Sequence, residues 1–124
     1  MKNEFIVMLN GKPFVTYEGL LYAAHEKGLQ SIEVELMQYP TEENKFTCMT
    51  RANVRGADGS VFSDIGDSSP ASCNSKIIPH LIRMASTRAK ARALRDFTNT
   101  GVCSIEELGE GELSSRAAPI KMVK

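Results

Sequence analysis

Between Lys76 and Arg95 the chain carries six basic side chains and no acid. Over that stretch Ile78, Leu81, Ile82, Ala85 and Ala89 recur at the three- and four-residue spacing of an amphipathic helix. One long helix is the structure that satisfies both patterns, and it is expected to run from Lys76 to about Thr98, with Asn74 or Ser75 as its cap. Pro79 fits within the first turn, where a backbone N–H has no intrahelical acceptor to lose.

The rest of the chain must give that helix something to cover. Asn10-Gly11 lies between two short apolar runs, Phe5 to Met8 and Phe14 to Tyr17, and predicts a tight hairpin turn. From Tyr17 the period becomes helical, and Gly28 stands where a helix stops, so residues 17–27 are read as a helix. Ile32, Val34 and Leu36 then alternate with polar positions, as in a strand buried on one face. A second strand places Phe46, Cys48, Ala52 and Val54 inward, with Lys45, Thr47, Met49, Arg51, Asn53 and Arg55 outward. Gly56 to Gly59 turns the chain into a third strand around Ser60 to Ile65, and the run Asp67 to Pro70 is expected to break the sheet. The fold class is therefore α+β: an N-terminal hairpin and helix, then a three-stranded antiparallel meander packed against one long basic helix. A domain over residues 1–108 is expected, with Ser104 to Leu108 as an acidic turn and 109–124 as a flexible tail.

Charge narrows the function. Fifteen basic and fifteen acidic residues cancel, which argues against a generic polycation. The distribution is uneven, because Lys45 to Arg95 holds nine bases against three acids. On the helix, Arg88, Arg92 and Arg95 form one stripe, and Lys76, Arg83 and Lys90 form another roughly opposite. Guanidiniums whose stems pack at a core boundary suit fixed phosphate contacts. The competing reading is a solvated or carboxylate-paired helix face. Arg51, Arg55 and Lys45 on the second strand are candidates to follow a sugar-phosphate backbone, or else to pair with Glu33 and Glu35 across the sheet. Tyr39, Phe46 and Phe62 are candidates for base stacking or for the core.

Catalytic signatures are missing from the sequence. His25 and His80 are not at ligand spacing with a cysteine, and there is no phosphate loop or nucleophile elbow. The expectation is a protein that is not an enzyme and needs no cofactor, metal or small-molecule substrate. Three cysteines about 25 to 30 residues apart fit no disulfide framework, so a reducing cytoplasm is expected. Nothing resembles a membrane span or a secretory leader, and no membrane partner is expected.

Three stretches carry a family resemblance: TYEGLLYAAHEKG at Thr16 to Gly28, GSVFSDIGDSSP ending at Pro70, and IIPHLIRMASTRAKARALRDFTNTG at Ile77 to Gly101. In this order they resemble the Rad fifty-two superfamily of single-strand annealing proteins, particularly its bacterial and archaeal DdrA-like branch. The resemblance implies a homo-oligomeric ring that binds single-stranded DNA in a positive groove between sheet and long helix, and anneals strands without ATP in repair and recombination. Basic positions of the family map onto Arg92 and Arg95, with Arg88 one turn earlier; Lys90, Arg51, Arg55 and Lys45 complete the candidate set. Ala91 and Leu21 stand where eukaryotic relatives carry bases. The alternative is an interaction scaffold of the same fold, homo-oligomeric but with little affinity for DNA.

Overall fold

A computed structural model describes residues 3–72, 80–101, 103–107 and 121–122. Two short strands, β1 (Ile6–Leu9) and β2 (Lys12–Val15), form the hairpin. Its turn has Asn10 at φ 53° and Gly11 at φ 77°, the pair of positive values that an Asn-Gly turn supplies at little steric cost. Helix α1 (Tyr17–Glu26) follows, and the Thr16 hydroxyl caps it by accepting from the Gly19 N–H at 3.1 Å.

The meander consists of β3 (Leu29–Gln38), β4 (Cys48–Gly56) and β5 (Val61–Ser68), all antiparallel, with β4 in the centre. Helix α2 (Leu81–Thr98) lies over β4 and β5, which accounts for the burial of Cys48, Thr50, Ala52 and Val54 on alternate positions of β4. At 18 residues it is about 27 Å long. The α+β class and the order of elements follow the expectation. Lys76 to Pro79, with the capping positions Asn74 and Ser75, lie outside the described residues.

Close approach of helix and sheet depends on small residues. At Gly66 of β5 an added Cβ would stand 2.2 Å from both the Ala85 carbonyl oxygen and the Ala89 nitrogen. Only glycine leaves room for the helix backbone there. Two buried hydroxyls then fasten the helix, since Thr50 Oγ1 donates to the Ala85 carbonyl at 2.8 Å and Ser68 Oγ donates to that of Leu81. The core below α2 joins Val15, Leu20, Ala24, Val54, Leu94 and Phe97, with Phe62 edge-on to the Phe97 ring.

Three expectations need correction. Lys45 and Phe46 do not lie on a strand: both have positive φ, within a turn that Asn44 organises by accepting from the N–H groups of Thr41 and Thr47, each at 2.9 Å. Phe46 is accordingly 47% exposed rather than in the core. The third strand does not break at Asp67 but runs to Ser68, which pairs with Cys48 and buries its hydroxyl against α2. The tail is not wholly loose either. Lys121–Met122 forms a two-residue strand, β6, against β1, whereas 108–120 lie outside the described residues.

Candidate nucleic-acid interface

The two basic stripes of α2 lie on opposite flanks of the helix, and their surroundings differ. The flank nearer β5 carries Arg88, Arg92 and Arg95. Arg88 is 4% exposed, and its guanidinium donates to the Asp67 and Ser72 carbonyls at 2.8 and 2.9 Å. It ties the helix to the end of β5, and its head is not presented to a ligand. Arg92 donates to the Ile65 carbonyl at 2.9 Å and to the Asp67 carboxylate at 3.4 Å. Its Nε lies 3.7 Å from Glu107 Oε1, the same oxygen that accepts from Arg95 Nη1 at 2.9 Å. Glu107 belongs to the single 3₁₀ turn Ile105–Glu107, and its side chain is only 8% exposed. The stretch from Lys76 to Arg95 carries no acid of its own, and Glu107 reaches its last two arginines from the segment that follows the helix.

The other flank faces an open groove of about 640 Å³ lined by Pro40, His80, Leu81, Ile82, Arg83, Ser86, Thr87 and Lys90. Arg83 and Lys90 are two helical turns apart on one stripe, with the two hydroxyl residues between them. Among the described residues no carboxylate lines this groove, and neither base has an ion-pair partner. Lys90 Nζ sits 5.7 Å from the centre of the Tyr17 ring, a cation–π contact that leaves its charge uncompensated. Tyr39, next to Pro40, is 67% exposed, so an aromatic face stands close to the groove along the chain.

Arg51 and Arg55 are elsewhere. They alternate with the β4 residues that α2 buries, and therefore lie on the far face of the sheet. Arg55 pairs there with Glu33 at 4.0 Å, an exposed contact worth about 1 kcal/mol or less. Glu35 lies directly opposite Arg51 in the register and accepts from Asn53 Nδ2 at 3.2 Å. Of the seven bases expected to form one site, Lys90 alone lines the groove. Arg88, Arg92 and Arg95 are gathered on the opposite flank, and Lys45 belongs to the Asn44 turn. Arg83, Ser86 and Thr87 were not expected as site residues, although the seven-residue interval from Arg83 to Lys90 is the signal that points to them.

Burial raises the Cys48 thiol above its ordinary pKa, which disfavours the reactive thiolate. No group of three His, Cys, Asp or Glu side chains that could hold a metal ion occurs among the described residues. No helix among the described residues is long and apolar enough to cross a membrane. No family model and no curated protein matches the chain.

Proposed function

We propose that this protein binds single-stranded DNA along the groove beside α2 and promotes annealing of complementary strands, without nucleotide hydrolysis, as a homo-oligomer in a reducing, cytoplasmic setting. The observation that carries the reading is the groove itself: two cations and two hydroxyl residues on one helical stripe, with neither an ion-pair partner for the cations nor a carboxylate in the lining among the described residues. Arg83 and Lys90 would take phosphates, releasing counterions from the strand. Ser86 offers a hydroxyl between them, the Thr87 hydroxyl donating to the Arg83 carbonyl at 3.0 Å, while Pro40, Leu81 and Ile82 give an apolar wall for bases. A strand held by its backbone keeps its pairing edges free, and base pairing itself then supplies the favourable energy. The resemblance to annealing proteins supports the same activity, although the basic positions it maps, Arg92 and Arg95, lie on the opposite flank.

A neutral protomer with two free cations on its groove is a weak binder alone, and repetition around an oligomer multiplies the contacts along one strand. A second reading, a self-associating scaffold with little DNA affinity, is favoured by Val34 and Leu36. These stand 39% and 37% exposed on the α2-side face of β3, which the helix covers far less than it covers β4 and β5. One annealing experiment separates the two. Two complementary labelled strands, mixed with protein in chelator and without nucleotide, should anneal faster than the strands alone. A scaffold would form oligomers by light scattering yet leave the annealing rate unchanged.

A further inference from the structure

The flank opposite the groove holds a contact that does more than neutralise charge. The Glu107 carboxylate is enclosed by three donor groups: Arg95 Nη1 at 2.9 Å and Arg92 Nε at 3.7 Å on Oε1, and the Ser104 N–H at 2.9 Å on Oε2. A phosphodiester offers the same two acceptor oxygens and the same single negative charge, and guanidiniums bind either group. We propose that Glu107 is a built-in competitor for nucleic acid, occupying a second phosphate subsite at Arg92 and Arg95 until a strand displaces it. This rests on the reading that the protein binds single strands, and adds how its affinity is set.

The geometry makes displacement local. The three-residue turn that carries Glu107 closes on itself through the Glu107 N–H to the Ser104 carbonyl at 3.2 Å. Its anchor lies upstream, where the Val15 N–H donates to the Cys103 carbonyl at 3.0 Å and Val15 bridges Ser104. Turning Glu107 outward therefore leaves that anchor and α2 in place. Arg95 gains most from the exchange. Glu107 is its only carboxylate among the described residues, its contact to the Gly101 carbonyl is a long 3.4 Å, and its buried Nε has no acceptor there. Arg92 keeps Asp67 at 3.4 Å throughout. The protein then binds with an affinity lowered by the fraction of molecules in which the turn is closed.

Binding of a 30-nucleotide dT strand, followed by fluorescence anisotropy across a salt series, tests the exchange. Glu107→Gln should tighten binding about tenfold and steepen the salt dependence by about one to two phosphate contacts. Glu26→Gln, the same change of net charge at the exposed end of α1, should alter affinity by less than about twofold. Adding Arg95→Gln to Glu107→Gln should abolish the gain. Should Glu107→Gln fail to fold, Glu107→Asp keeps the charge but shortens its reach to Arg95, and a smaller gain is expected. A folded Glu107→Gln with wild-type affinity and slope overturns the proposal, as does a gain that survives Arg95→Gln. Tight binding by Glu107→Gln that is indifferent to Arg83 and Lys90 would support the competitor and refute the groove. If neither wild type nor Glu107→Gln binds, both ideas fall.

Discussion

The two flanks of α2 begin with similar chemistry and end with different roles. On one side Arg88, Arg92 and Arg95 are drawn into backbone carbonyls, Asp67 and Glu107; on the other Arg83 and Lys90 border an open groove with no acid in its lining among the described residues. What separates them is the neighbourhood each flank meets. The first adjoins the end of β5 and the turn after the helix, both of which supply acceptors, whereas the second borders the loop after β3 at Pro40, and no carboxylate among the described residues lines it. A basic stripe is open to a ligand directly only where the fold has not already answered it; on the first flank a ligand would have to displace the Glu107 carboxylate.

The largest effect expected is on the position of the helix as a whole. Gly66→Val places a side chain where backbone atoms of Ala85 and Ala89 already stand, and should cost about 3 kcal/mol or more of stability. Chemical denaturation would show it, and both flanks should lose their geometry together. Arg88→Ala comes next: it leaves the Asp67 and Ser72 carbonyls without their donor at a buried position, for a loss of about 3 kcal/mol. Arg92→Ala, half-exposed and sharing its acids, should cost about 1 kcal/mol. Arg83→Ala should stay within about 0.5 kcal/mol of wild type, because an exposed base with no ion-pair partner among the described residues adds little to the fold. Equal losses from Arg83→Ala and Arg88→Ala would erase the distinction between the flanks.

Local chemistry made much of the fold legible in the sequence. Asn10-Gly11, the helical period from Tyr17 stopped at Gly28, and the alternation of Cys48, Ala52 and Val54 each depend on neighbours a few residues away, and the elements they predict are present. The same alternation that sends Arg51 and Arg55 outward also removes them from any groove shared with α2, so that grouping conflicts with the parity that produced it. Lys45 and Phe46 were misplaced because the Asn44 turn overrides the strand pattern. The pairing of Arg95 with Glu107, 12 residues on, is a tertiary contact that no helical periodicity encodes. The free stripe was visible as an interval, but its freedom depends on what packs beside it.

The central claim is that nucleic acid is held on the Arg83 and Lys90 flank. Anisotropy of a labelled dT strand against Arg83→Gln/Lys90→Gln, with circular dichroism and oligomer mass unchanged, tests it most directly. The account predicts binding at least about tenfold weaker, with a salt dependence shallower by about two phosphate contacts. Affinity and salt slope equal to wild type in a folded double variant would contradict it.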